Sequence, residues 1–124
     1  MSGAKTVVRR IPGKGRGVVA LVRLEAGEIM ERAPAISLDR SDTDTIAATC
    51  LDDYYFAHPG DPDGGLLVLG HATLINHSDI PNTETTVAWD HTAGWTVTLR
   101  TLSKIAAGAE LTRRYACALW FDPA

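Results

Sequence analysis

One stretch near the middle of the chain reads Leu74-Ile75-Asn76-His77-Ser78-Asp79-Ile80-Pro81-Asn82. Polar side chains interrupt an apolar run here, and Pro81 restricts the backbone that carries them. A structural interpretation is a turn in which Asn76 and Asn82 hydrogen-bond to nearby backbone groups. A serine-protease interpretation fails, because neighbouring side chains point apart and cannot align a nucleophile, a base and an orienting acid. The role of this stretch therefore has to be inferred together with the rest of the chain.

The residues before this stretch predict three short strands. Lys5 to Ile11 forms the first, Val18 to Leu24 the second and Ile29 to Arg32 the third. Three glycines within Gly13–Gly17 predict a tight loop without regular pairing between the first two strands. Pro34 is expected to end the third strand, because proline donates no hydrogen bond to a sheet.

The residues after this stretch also predict strands. Apolar and polar side chains alternate from Trp95 to Arg100, which is typical of a strand with one buried face. The segment Ile105–Leu111 repeats the turn chemistry of Leu24–Ile29, and both are interpreted as hairpin corners. Many short strands without intervening long helices predict a mostly β domain, so Gly15-x-Gly17 favours a turn over a Rossmann-type cofactor loop.

The middle of the chain is acidic. Residues 39–63 contain seven Asp and a single basic residue, Arg40, and could either dock a basic peptide or form a solvated surface. Ser41 and Thr43 are candidate N-caps for a short helix at about residues 45–51. Two prolines and three glycines in residues 58–65 predict a loop, either an insertion or a mobile rim.

Composition excludes several classes of function. A formal charge of −3 does not suit a surface that tracks nucleic acid. Two cysteines, Cys50 and Cys117, cannot build a disulfide framework or a cysteine-rich zinc site, and both are expected to be buried thiols. The four histidines lack helical i,i+4 pairing, so no catalytic metal is expected. Apolar runs are strand-sized and no secretory signal is evident, which predicts an intracellular protein without membrane spans.

Four motifs, taken in chain order, resemble the signature of the SET-domain family: Gly15-Arg16-Gly17, Tyr54, Asn76-His77-Ser78-x-x-Pro81-Asn82 and Glu110-Leu111-Thr112-x-x-Tyr115. The resemblance extends from about Val8 to Phe121. It is strongest toward the short stand-alone SET proteins of large algal viruses, with which the chain shares Asp53-Tyr54-x-Phe56 and Trp120, five residues after the last tyrosine of the signature.

The resemblance implies a single domain over residues 1–124. Its fold would be mostly β, of the β-clip type, with small curved sheets around a knot-like crossing and one or two short helices. At the crossing His77 and Tyr115 would meet, although 38 residues separate them. Residues 39–63 would be an acidic insert. The cysteine-rich zinc cap of many relatives is missing, so a short lid of residues 116–124 or a second subunit in a homodimer would close the site.

The resemblance also implies S-adenosylmethionine as the cofactor. The backbone of Gly15 to Gly17 and the Asn76 side chain would hold its methionine part, and the main chain at His77 would meet the adenine. The cofactor-binding residues implied in this way are Lys14, Gly15, Arg16, Gly17, Asn76, His77, Tyr115 and Trp120.

A channel for a substrate lysine is implied beside the cofactor. Tyr54 and Tyr115 would line the junction between the channel and the cofactor pocket as catalytic residues, and the Tyr115 hydroxyl would orient the amine or the cofactor. Trp120 would pack over the adenine or the lysine. Most relatives have Phe or Tyr at the position of Arg113, which shares a strand face with Tyr115. Because a guanidinium repels an incoming lysine, we expect Arg113 to turn outward or to pair with an acid.

The function implied is that of a protein-lysine N-methyltransferase that uses S-adenosylmethionine. Its substrate would be a basic tail, such as that of a histone or a histone-like protein, and the location cytoplasmic, or nuclear if it acts on chromatin. No nucleic acid or membrane partner is expected. The alternative is a non-catalytic SET-like module that retains cofactor or peptide binding, a reading favoured if Arg113 points into the channel.

Overall fold

The computed structural model describes residues 4–114, which form two β-sheets with one α-helix and two short 3₁₀ helices. In chain order the strands are β1 (Thr6–Ile11), β2 (Gly15–Ala20), β3 (Ile29–Leu38), β4 (Phe56–His58), β5 (Asp61–Val68), β6 (Asn76–His77), β7 (Thr83–Asp90), β8 (Gly94–Thr101) and β9 (Glu110–Arg113). Helix α1 spans Arg40–Ile46, and the 3₁₀ helices span Cys50–Asp53 and His71–Leu74. The expected mostly β fold is confirmed.

The smaller sheet has the strand order β1-β2-β9-β6. Strands β1 and β2 form a hairpin in which Gly15 lies opposite Ile11 and Gly17 opposite Arg9. The expectation that Gly13–Gly17 forms an unpaired loop was therefore wrong. The turn is shorter than expected, and Gly15 enters the strand with a φ of 86°, a left-handed conformation that glycine adopts without a steric penalty.

The larger sheet has the strand order β4-β5-β3-β8-β7, with β3 at its centre. The first part of β3 pairs with β8 and its last residues, from Ala35, pair with β5. Pro34 lies inside this strand, so the expectation that it ends the strand was wrong. Its carbonyl accepts a hydrogen bond from the amide of Leu69, one residue beyond β5. Proline has no N–H to donate. Pro34 lies just before the residues of β3 that pair with β5, so no hydrogen bond of that ladder is lost.

Helix α1 begins earlier than the sequence predicted. Asp39 is its N-cap, and it forms a capping box with Asp42 through bonds of 2.9 and 3.1 Å. Thr43 is not a cap: it is buried, and its hydroxyl donates to the carbonyl of Asp63, which ties the helix to β5. The helix ends at Ile46, so the expected helix at residues 45–51 was placed about five residues too late.

Two other expectations for the middle of the chain were also wrong. The predicted loop at residues 58–65 is instead the turn and second strand of the β4–β5 hairpin, in which His58 pairs with Asp61. Cys50 is exposed rather than buried, and Cys117 lies outside the described residues. Within residues 4–114 no helix is long and apolar enough to cross a membrane.

Two apolar clusters form the core. The first joins the smaller sheet to the turns and contains Val18, Ala20, Leu24, Ile75, Leu99, Ile105 and Leu111. The second lies under the larger sheet and contains Ala33, Phe56, Leu66, Val68, Ala72 and Val97. The predicted one-sided burial of β8 is confirmed by Val97 and Leu99.

The two turns with similar sequences are not hairpin corners. Leu24 and Ile105 form an antiparallel bridge to each other, with N–O distances of 2.9 and 3.0 Å. The amide of Ala20 also donates to the carbonyl of Ala109. The turns therefore pair with each other and hold β2 against the segment that leads into β9.

Truncation of Leu111 tests the packing of β9. Leu111 is completely buried, so Leu111→Ala is expected to lower the free energy of unfolding by about 2–5 kcal/mol through lost contacts and a residual cavity. Leu102→Ala is the matched control, because Leu102 is 46% exposed, and its expected effect is within about 0.5 kcal/mol. Urea unfolding followed by circular dichroism measures both, and equal losses would contradict this packing.

Candidate functional site

The site begins at the contact between β6 and β9. These two strands run parallel, with Asn76 opposite Thr112 and His77 opposite Arg113. The amide of Ser78 continues the ladder by donating to the carbonyl of Arg113 at 3.0 Å. The sequence predicted that the Asn-His-Ser segment would contact the final motif. The two segments are paired as far as Arg113, and Tyr115 itself lies outside the described residues.

Asn82 fastens this contact. Its Nδ2 donates to the carbonyl of Glu110 at 2.9 Å, and its Oδ1 accepts from the amide of Thr112 at 2.7 Å. The amide of Asn82 donates in turn to the Thr112 hydroxyl at 3.1 Å. The interpretation of Asn82 as a residue that satisfies local backbone was wrong, because its side chain bonds to the backbone of β9, 28 and 30 residues away in the chain.

Asn76 joins the β1–β2 hairpin to the crossing. Its Nδ2 donates to the carbonyl of Arg16 at 3.0 Å and to Oε2 of Glu110 at 2.7 Å. A Cβ on Gly17 would lie only 2.7 Å from that Nδ2 and 2.8 Å from the Glu110 oxygen. Only glycine therefore allows the three segments to come this close. The other Glu110 oxygen, Oε1, accepts from Lys14 Nζ at 2.8 Å.

An open cleft of about 600 Å³ lies beside this hairpin. Its lining brings Tyr54 together with the glycine motif, and consists of Val8, Arg9, Arg10, Gly15, Arg16 and Tyr54. Arg10 and Arg16 lie directly opposite each other on β1 and β2. Within the part of the chain that the structure describes, neither arginine forms an ion pair, so this wall of the cleft is positively charged.

The side chain of His77 is turned toward the loop after β6. Its Nε2 lies 3.0 Å from Oδ1 of Asp79. The Arg114 guanidinium donates to the carbonyl of the same Asp79 at 2.6 Å, which draws this loop onto the end of β9. The main chain of His77 pairs with Arg113 in the crossing.

Arg113 is buried, so of its two expected arrangements, an outward turn or a pairing with an acid, the outward turn was wrong. Its side chain is inside the domain, with the residue only 6% exposed. The guanidinium carbon lies 4.0 Å from the centre of the Phe56 ring, and Nε donates to the carbonyl of Ala72 at 3.2 Å. A cation–π contact and a carbonyl acceptor both compensate for the loss of water around this charge.

The structure thus brings together the residues expected from Lys14 to Gly17, with Asn76, and it places Tyr54 in the adjoining cleft. Tyr115, Trp120 and the expected lid at residues 116–124 lie outside the described residues. No cluster of His, Cys, Asp or Glu within residues 4–114 could hold a metal ion.

Residues 15–116 match the family model of the SET domain. The chain belongs to the SET-domain family. A search of curated proteins gives no match.

Solved structures share this fold. A proposed histone methyltransferase of Plasmodium falciparum is 26% identical with a TM-score of 0.77, and the match covers 96% of this chain and 99% of that one. The Neurospora SET domain protein DIM-5, a histone lysine methyltransferase, is 23% identical with a TM-score of 0.69, over 89% of this chain and 51% of that one.

A third structure contains the cofactor that the SET resemblance implies. It is the Chaetomium thermophilum polycomb repressive complex 2 bound to S-adenosylmethionine, 17% identical with a TM-score of 0.73. The match covers 92% of this chain but only 15% of that one. At these identities the second and third likenesses show a shared fold.

Glu110 and Asn82 both lie within the SET motifs, but the sequence does not indicate the contacts that they make in this site. The only signal in the sequence was that both are polar residues next to apolar ones at the two segments expected to cross. Their partners are 28 or more residues away in the chain, so local sequence could not identify them.

Substitution of Gly17 tests this close approach. In Gly17→Ala the added methyl group would press on Asn76 and Glu110, which is expected to lower the free energy of unfolding by about 1–3 kcal/mol. Gly60→Ala is the matched control, because its Cβ would come no nearer than 3.5 Å to the group it approaches most closely, the His58 ring. Thermal or urea unfolding distinguishes them, and a stable Gly17→Ala variant would contradict the described geometry.

Proposed function

We propose that this protein transfers a methyl group from S-adenosylmethionine to a lysine side chain of another protein. One observation carries the proposal. The crossing of β6 and β9 holds Asn76 against the Gly15–Gly17 strand, at the side of an open cleft that also contains Tyr54. Membership of the SET-domain family and the histone methyltransferases among the similar structures support it.

The residues present fit the cofactor. Methionine carries a carboxylate and an ammonium group at one end. The cleft offers arginine side chains for the first. Asn76, which is bonded to the Arg16 carbonyl beside the cleft, would offer its side-chain oxygen for the second. Gly15 and Gly17 have no side chains that would obstruct a ligand at this backbone. When bound, S-adenosylmethionine supplies a methyl group activated by a sulfonium centre.

The protein's own contribution is alignment and exclusion of water. A lysine side chain has an ordinary pKa near 10.4, so it must lose a proton before it can attack, and an apolar surrounding favours the neutral amine. We assign the orientation of that amine to the hydroxyls of Tyr54 and Tyr115. Holding two reactants in line removes much of the entropic part of the barrier, so no charged catalytic pair is required.

The substrate that we propose is a basic tail, such as that of a histone. Exposed carboxylates on and after helix α1 would attract it, although Asp39 and Asp42 also cap the helix. Asp53, exposed and directly before Tyr54, brings a negative charge next to the cleft. The histone methyltransferases among the similar structures support this class of substrate.

The second candidate is a non-catalytic module that binds the cofactor or a peptide. The buried Arg113 favours it, because a cation near the lysine channel repels the substrate by on the order of 1–4 kcal/mol at 4 Å. Against it, the Arg113 charge is held between the Phe56 ring and the Ala72 carbonyl, on the side of the second core cluster. The two candidates differ in turnover and are separable by experiment.

Incubation with radiolabelled S-adenosylmethionine and mixed histones tests the proposal. The wild-type protein is expected to label a histone, and Tyr115→Phe to reduce labelling roughly a hundredfold, because the amine loses its orienting hydroxyl. Tyr55→Phe is the matched control: it also removes one hydroxyl, but the Tyr55 ring lies against Gly65, and of residues 4–114 it is Tyr54, not Tyr55, that lines the cleft.

Calorimetry of cofactor binding completes the experiment. Cofactor binding without labelling of any protein would favour the non-catalytic module. Labelling that Tyr115→Phe and Tyr55→Phe leave equally strong would contradict the role given to Tyr115. Absence of both binding and labelling would contradict the proposed function as a whole.

A further inference from the structure

We propose that Glu110 is a positioning residue that fixes the orientation of the Asn76 amide, so that Asn76 presents its Oδ1 to the amino group of the cofactor. The inference rests on the proposed function, and it adds a residue to which the family motif assigned no role. It also names what the site selects, which is a cofactor that carries a free amino group on its methionine part.

The Glu110 carboxylate lies between two donors. One oxygen accepts from Lys14 Nζ at 2.8 Å and the other from Asn76 Nδ2 at 2.7 Å. The Glu110 side chain is only 17% exposed, so water competes weakly for these oxygens. Each oxygen therefore serves one partner, and the carboxylate joins the β1–β2 hairpin to β6.

The backbone of Glu110 is held as firmly as its side chain. Its carbonyl accepts from the side chain of Asn82, and the next residue, Leu111, is completely buried. On the other side, a side chain at position 17 would overlap both the Glu110 and the Asn76 groups. The carboxylate is therefore confined from both ends.

The chemistry of these partners determines which way the Asn76 amide faces. An asparagine side chain has two N–H donors and one carbonyl acceptor. Asn76 directs its nitrogen at the Arg16 carbonyl and at the Glu110 carboxylate, neither of which can donate. A flipped amide would face its oxygen toward these two acceptors, with repulsion at both contacts.

The Asn76 oxygen is consequently turned away from both acceptors. Within residues 4–114 no hydrogen bond reaches Oδ1. A carbonyl oxygen accepts from an ammonium group but not from a carboxylate, so the amide recognises the amino group of a methionine-like ligand and not its acid group.

Glutamine at position 110 would disturb this arrangement without a change of size. A carboxylate offers one oxygen to Lys14 and one to Asn76, whereas a glutamine amide has only one oxygen. If the Lys14 ammonium takes that oxygen, Asn76 faces an NH₂ group, and only the Arg16 carbonyl still opposes a flip of its amide. We therefore expect Glu110→Gln to weaken recognition of the amino group more than it weakens binding in general.

Calorimetric titration with two ligands tests this. The probes are S-adenosylhomocysteine, which keeps the amino group, and its analogue without the α-amino group. The wild-type protein is expected to prefer the first by roughly tenfold or more, the usual size of a hydrogen bond to a charged group. In Glu110→Gln this preference is expected to fall below about threefold.

Glu25→Gln is the matched control. It makes the same charge change in a glutamate that also pairs with a basic residue, Arg23, but on an exposed turn. It is expected to keep the wild-type preference. Thermal unfolding of each variant measures how far any change reflects loss of the fold.

The outcomes separate the two proposals. A wild-type protein that binds both ligands equally would overturn the role of Asn76 and Glu110, while still supporting cofactor binding. That comparison needs no variant, so it holds even if Glu110→Gln does not fold. A folded Glu110→Gln with the wild-type preference would also overturn the inference. Binding of neither ligand by the wild-type protein would contradict the proposed function too.

Discussion

The parallel contact between β6 and β9 is the constraint on which the rest of the structure depends. It joins segments that are 36 positions apart in the chain, Asn76 opposite Thr112 and His77 opposite Arg113. A two-residue strand makes few ladder bonds, so it needs additional support. Asn82 supplies it by bonding to the backbone on both sides of Leu111, and the apolar cluster around Leu111 packs beneath. Without this contact, Asn76 would not reach the β1–β2 hairpin.

Two groups of charged side chains lie in different parts of the molecule, a basic one on the β1–β2 hairpin and an acidic one around helix α1. Among the basic residues of the β1–β2 hairpin, Lys14 is neutralised by Glu110, whereas Arg10 and Arg16 face the cleft. Like charges opposite each other on paired strands are destabilising, and an anionic group of a bound ligand would reduce this repulsion. The carboxylates around helix α1 have the opposite sign and would attract the basic peptide that we propose as substrate. In the proposed reaction the cofactor and the peptide would therefore meet surfaces of opposite charge.

Much of the fold could be predicted because its signals are local or lie in the SET motifs. Alternation along β8 predicted its buried face, and the motifs predicted the crossing. Errors arose where a long-range partner overrode a local signal. Pro34 is tolerated inside β3 because the pairing of this strand with β5 begins only after it. Gly15 pairs with β1 because its left-handed backbone ends the turn. Arg113 is buried because Phe56 and the Ala72 carbonyl receive it, which no property of its neighbours in sequence indicates.

The measurement that tests the account most directly is a titration of ¹⁵N-labelled protein with S-adenosylhomocysteine, followed by two-dimensional amide NMR. If the crossing of β6 and β9 forms the cofactor site, the largest shifts occur at Gly15 to Gly17, at Asn76 and His77, and at Glu110. The outer face of the larger sheet, around Thr96 and Thr98, is expected to remain unchanged. Shifts centred on that outer face, or none at the crossing under saturating ligand, would contradict the account.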